Sequence, residues 1–166
     1  MATEPKPSSE TTVAEAVLTL LKEAFEGPSG PSTYFIEHDP RAGLFGAIDA
    51  LSPSEASRSV RPGSPSIAGH VHHVAFHAEM SSAWMHGDRR ERDWKRSWSV
   101  QEVDAKEWDA ERRAVRAEYE KLLRAIREVP AAVGDDLPTT LGALAHAAYH
   151  LGEIRQRITD SKIGQP

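Results

Sequence analysis

The sequence predicts an all-α fold, a four-helix bundle with long connections between its helices. Three observations carry that expectation. Four long segments repeat apolar residues at i, i+3, i+4 and i+7 spacing. Clusters of Gly, Pro and Ser separate them. No stretch shows the period-two alternation and β-branched enrichment of a strand. Four amphipathic helices in a chain of 166 residues bury their stripes most simply against one another.

The first helix is expected from about Ser9 to Glu26, where Val13, Ala16, Val17, Leu20, Leu21, Ala24 and Phe25 share a stripe and Gly27-Pro28 ends it. A loop with Tyr34, Phe35 and Ile36 follows, then a short apolar stretch, Leu44 to Leu51, with room for a turn or two of helix. The second long helix should start after Ser66, a good N-cap, and run to about His86. Gly87-Asp88 opens a polar connection carrying Trp94 and Trp98. The third helix has the clearest start: Asp104 and Glu107 form a capping-box pattern, with Val103 and Trp108 placed as a hydrophobic staple. Its stripe runs through Val115, Tyr119, Leu122, Leu123 and Ile126 until Pro130. The last helix is expected from Thr139 or Thr140 to about Lys162, apolar over more than half its circumference and therefore the most buried of the four. The long connections leave a simple up-down-up-down order unassured.

Length fits one domain over residues 1–166, with residues 1–8 as a flexible tail. The chain has no cysteine, which excludes disulfides, thiolate zinc sites and a nucleophilic thiol of its own. No apolar run reaches the roughly 20 residues that cross a bilayer, and the N-terminus lacks a signal-like segment. A cytoplasmic protein without membrane contact is expected. A net charge of −5 argues against nucleic acid as a partner. The basic run from Arg89 to Arg96 is broken by acids and reads as a solvated loop. A homodimer is compatible with exposed bundle faces, though no stripe demands one.

Eight histidines are the unusual feature. His70, His72, His73 and His77 crowd the second helix; His146 and His150 lie four apart on the last. That spacing puts two imidazoles one turn apart on one helix face. With a third from a facing helix they make a three-nitrogen face for a divalent ion, whose remaining positions stay open for water or substrate. His70, His73 and His77 all share the face that would supply the third, while His72 points away from it and is expected to be solvated. Tyr149 and Glu153 read as packing and an exposed carboxylate, Trp94 and Trp98 as loop anchors. Imidazoles must be neutral to bind, so occupancy should fall below about pH 6.5.

Two stretches carry a resemblance. Ser66-Ile67-Ala68-Gly69-His70-Val71-His72-His73-Val74-Ala75, followed by His146-Ala147-Ala148-Tyr149-His150-Leu151-Gly152-Glu153-Ile154-Arg155-Gln156, resembles the DinB/YfiT-like superfamily of bacterial four-helix bundles. The resemblance implies a metal site with one histidine from the second helix and two from the fourth. Residue by residue these are His73, His146 and His150. His73-Val74-Ala75 matches the family's second-helix context, but Phe76 stands where Asp is common, which keeps His77 and then His70 as rivals. The ion implied is zinc first, with nickel, iron or copper also suited to imidazole. The activity implied is that of a metal-dependent transferase, which activates a low-molecular-weight thiol of the bacillithiol or mycothiol type for attack on an electrophile. A metal-dependent hydrolase and a non-catalytic, metal-binding or stress-associated bundle are the alternatives.

Overall fold

The computed structural model describes residues 11–129 and 136–163; the proposed tail lies outside the described residues. Six helices are present among them: α1 (Val13–Glu26), α2 (Leu44–Asp49), α3 (Pro53–Ala56), α4 (Ile67–Met85), α5 (Ala105–Glu128) and α6 (Asp136–Ile163), with one 3₁₀ turn, Arg96–Trp98, between α4 and α5. There is no strand among the described residues, and no helix among them is long and apolar enough to cross a membrane.

Caps define the starts. The Asp104–Glu107 box at α5 forms as expected, with Glu107 N donating to Asp104 Oδ1 at 2.8 Å and Asp104 N to Glu107 Oε2 at 2.9 Å. Ser66 caps α4 through Gly69 N. Two further boxes, Thr12–Glu15 at α1 and Ser52–Glu55 at α3, set starts that the apolar pattern does not mark. The first brings α1 in at Val13 rather than Ser9. α6 begins earlier than expected, at Asp136, because the first turn's N–H groups have no intrahelical acceptor and Pro138 is tolerated there.

The four long helices close a ring in the order α1–α5–α4–α6, since α4 packs on α5 and α6, and α1 on α6 and α5. Consecutive long helices α1 and α4 are therefore not among the main packing pairs, and the long connection between them, with α2 and α3, bridges the ring. α2 seats against α1 and α5, where Phe25, Phe45 and Tyr119 stack or meet edge to face with centroids 4.6–5.6 Å apart. Trp108 Nε1 donates to the Leu51 carbonyl at 3.0 Å and fastens the α2–α3 link to α5.

The most buried helix is α4 rather than α6. Thirteen of its 19 residues are buried, whereas α6 leaves Leu141, Ala145 and Tyr149 exposed and buries the row Thr140, Ala143, Ala147, His150, Leu151, Ile154. Leu144 and Ala148 lie half-buried at the edge of that row. α4 and α6 each have two long-helix neighbours, but the Arg96–Trp98 turn and α3 also pack on α4, which covers more of its circumference.

The first long loop hangs on a buried carboxylate. Glu23, 6% exposed, accepts hydrogen bonds from the backbone N–H groups of Tyr34, Phe35 and Ile36 at 2.8–3.3 Å. Charge-assisted bonds of this kind are worth about 1.5–3 kcal/mol. Glu23→Ala should lower unfolding free energy by about 3 kcal/mol in a denaturant titration, and a loss under about 0.5 kcal/mol would show that the loop holds without it.

Candidate metal centre

The seam between α4 and α6 gathers five imidazoles. α6 presents His146 and His150 one turn apart, and α4 presents His70, His73 and His77 on the facing side. One donor atom from each of His73, His146 and His150 falls in a group whose members all lie within 4.8 Å of one another. Their ring centroids are 4.9 Å (His73–His146), 4.8 Å (His73–His150) and 4.4 Å (His146–His150) apart. His73 Nε2 and His146 Nε2 face each other at 3.0 Å. Two nitrogens bound to one tetrahedral ion at 2.0–2.1 Å would sit roughly 3.3 Å apart, so these rings already stand near the spacing an ion requires.

His70 and His77, the rivals for the second-helix position, are not in that group. His77 lies flat on His146, centroids 3.6 Å apart and planes within 8°. His70 instead meets His150, Nδ1 to Nδ1 at 3.0 Å.

The proton on His73 can be placed from its neighbour. Ser97, fully buried, sits 2.9 Å from His73 Nδ1. Its one hydroxyl proton is already donated to the Trp94 carbonyl at 2.7 Å. Toward His73 the oxygen therefore accepts, His73 Nδ1 carries the proton, and Nε2 keeps its lone pair directed at His146. The Trp98 ring covers His73, stacked at 3.9 Å and 14°. Trp98 thus packs on a ring of the group itself, whereas Trp94 is half exposed beside Phe76 and His77.

Three contacts bring the 96–98 turn onto the histidines. A Cβ at Gly69 would lie 2.9 Å from the Val100 carbonyl and 2.8 Å from the Gln101 amide, so only glycine allows this approach. Gln101 accepts from Ser66 N and donates to the Trp98 carbonyl, both at 2.9 Å. His72 is the third contact and corrects the expectation of a solvated ring. Its Nδ1 meets Glu111 Oε2 at 3.1 Å and its Nε2 the Arg96 carbonyl at 3.2 Å. A carboxylate and a carbonyl both accept, an arrangement that favours the doubly protonated ring, and the Glu111 hydrogen bond is the main cause of its raised pKa.

The five seam histidines behave oppositely. Burial, reinforced by neighbouring rings, pushes His70, His73 and His77 down to about 4, His150 to about 3 and His146 to about 2. All five are neutral near pH 7, the state a cation needs. Protons compete for these folded rings only near pH 4, which moves the expected loss of an ion well below 6.5. Other acids near the seam are already engaged: Glu79 with Arg92, Glu153 with Arg157 and Glu111 with His72. His38 and His86 lie away from the cluster, on the Gly30 carbonyl and on Ser82 and Glu128. Tyr149 is exposed, its ring edge-on to His150.

Fold and site together define a helical bundle with a histidine triad in the seam between two of its long helices, and three neutral imidazoles facing one point suit a divalent ion. The family model of the DinB superfamily matches residues 39–153, a span that includes all three histidines, and the chain belongs to that superfamily. No curated protein and no solved structure matches it.

Ser97 was not singled out in the sequence, where a serine between Arg96 and Trp98 carries no signal of its own. Ser97→Ala should weaken divalent-ion binding about 10-fold, as expected when a ligand's supporting partner is removed, beside a loss of about 1–3 kcal/mol in stability from the unpaired His73 N–H. Unchanged affinity in a chelator competition would show that the hydroxyl does not orient His73.

Proposed function

We propose that this protein is a divalent-metal-dependent enzyme whose ion, zinc in the first instance, is held by His73, His146 and His150. The observation that carries the reading is the convergence of three neutral imidazoles from two helices, His73 and His150 buried and His146 half-buried, on one point. Three protein ligands leave a position open for a reactant, as in catalytic rather than structural sites. An ion held there would polarise a bound oxygen or lower the pKa of a bound thiol or water.

The activity proposed is transfer of a small-molecule thiol to an electrophile. One observation favours it over hydrolysis. Metal-assisted hydrolysis calls for a general base within reach, and the carboxylates nearest the seam are engaged with Arg92, Arg157 and His72. The absence of cysteine is no obstacle, since the thiol would arrive as a cosubstrate. A thiol ionises far more readily than water and needs less help. In the transfer, the new sulfur–carbon bond forms as the leaving group departs with its bonding pair, and the thiol proton passes to solvent. The protein's own part is to hold three nitrogens fixed, with Ser97 fixing the proton on His73 and Trp98 covering one ring face. A cytoplasmic setting, where such thiols stay reduced, fits this reading.

Zinc-loaded protein should be incubated with chlorodinitrobenzene or a bimane electrophile, with and without low-molecular-weight thiols. Metal-dependent, thiol-dependent conjugate formation supports the transferase reading. Turnover of activated esters without thiol would replace it with hydrolysis, and neither activity would favour a binding module.

A further inference from the structure

Beyond the triad, His70 is a second buried histidine with an unassigned task. It is 3% exposed and lies one turn before His73 on α4. Its Nδ1 faces His150 Nδ1 at 3.0 Å. Its Nε2 is buried and has no hydrogen-bond partner among the described residues. The ring stands perpendicular to Trp98, centroids 5.3 Å apart, so the indole that stacks on His73 also braces His70.

We propose that His70 is a positioning residue: through its Nδ1 it holds His150 so that His150 Nε2 is the nitrogen presented beside His73 and His146. This rests on the ligand set proposed above.

Two imidazole nitrogens facing each other at 3.0 Å have one proton between them, so one donates and the other accepts. With the proton on His150 Nδ1, His150 Nε2 keeps a lone pair for a cation, and His70 accepts while its own proton sits on Nε2. With the proton on His70 Nδ1, the remaining proton of His150 occupies Nε2 and that nitrogen cannot ligate. A bound cation therefore selects the first arrangement.

Ligand imidazoles generally donate their second N–H to a fixed acceptor. Ser97 is that acceptor for His73. For His150 the carboxylate one turn away, Glu153, is turned to Arg157, and His70 occupies the place instead. The solitary Nε2 fits the same role. The one hydrogen bond His70 makes among the described residues is the one to His150, so the ring's polar work there is done through Nδ1.

The test compares His70→Leu, His70→Asn and His70→Gln with the wild type, reading zinc affinity by chelator competition, ion stoichiometry and the visible spectrum of the cobalt-substituted protein. An Asn amide oxygen sits near the position of Nδ1 and can accept from His150; a Gln amide sits nearer that of Nε2 and cannot. The Leu and Gln variants should bind about 10–100-fold more weakly, with a changed cobalt spectrum, and Asn should recover most of the loss. The Gln variant keeps the test open if Leu fails to fold. Wild-type affinity and spectrum in both Leu and Gln overturn the proposal, as does an Asn variant no better than they are. Two ions per chain, with one lost on removing His70, overturn it in favour of a ligand role. No ion bound by the wild type overturns the triad assignment and this proposal with it.

Discussion

Alanine at any one of His73, His146 or His150 is expected to reduce bound zinc from about one ion per chain to below about a tenth under dilute, dialysed conditions. Loss of a supporting hydrogen bond alone costs metal sites 10–100-fold in affinity, and loss of a ligand should exceed that. His72→Ala should retain the ion. His72 is spent on Glu111 and the Arg96 carbonyl, and its removal loosens the 96–98 turn without withdrawing a nitrogen from the group. His77→Ala also keeps the three nitrogens but removes the ring stacked on His146, so a partial loss is expected. Elemental analysis of the five variants beside wild type checks this. Full occupancy in His73→Ala with loss in His77→Ala would move the second-helix ligand one turn along α4.

Acid should destabilise the metal-free protein across an unusually high range. The five seam imidazoles titrate near 4 or below when folded and near 6.5 when unfolded. Between those values the unfolded chain binds more protons, so stability rises with pH there. The contribution is complete above about 6.5 and is lost as pH falls toward 4. One pKa unit is worth about 1.4 kcal/mol. Even with mutual coupling and partial solvation discounted, two such rings rival a sizeable part of the roughly 5–15 kcal/mol that holds a domain together. His72 acts in the opposite sense, since its pKa is raised, but it is one ring against five. The melting temperature without metal should drop steadily from pH 7 to 4.5, before most carboxylates titrate, and His146→Ala should flatten the slope. With zinc bound, the fall should begin at lower pH. A flat profile between pH 7 and 4.5 would contradict the buried, neutral cluster.

Much of the fold was legible because its signals are local. The capping pattern at Asp104, the N-cap at Ser66 and the stop at Gly27 are short-range chemistry, and the stripe of α5 is buried as its spacing predicts; Pro130 itself lies outside the described residues. Which arc of α6 faces the core was not legible. That depends on the ring order of the helices, a long-range property, and a helix apolar on most sides does not announce its partner.

The site divides the same way. His146 and His150 come from periodicity, and His73 from the resemblance. The groups that orient them do not. Ser97 and Trp98 lie 24 and 25 residues beyond His73, brought over it by Gly69, Gln101 and His72, and a lone serine or glycine gives no hint of such a contact. α4 alone turns His72 away from the seam and so predicts a solvated ring; Glu111 on the neighbouring helix supplies its partner.

The most direct measurement is X-ray absorption at the zinc edge of the loaded, substrate-free protein. Three imidazoles with one light oxygen or nitrogen ligand at about 2.0–2.1 Å are expected, and His150→Ala should lose one imidazole or the ion altogether. A first shell of oxygen without the outer-shell scattering of imidazole would contradict the account.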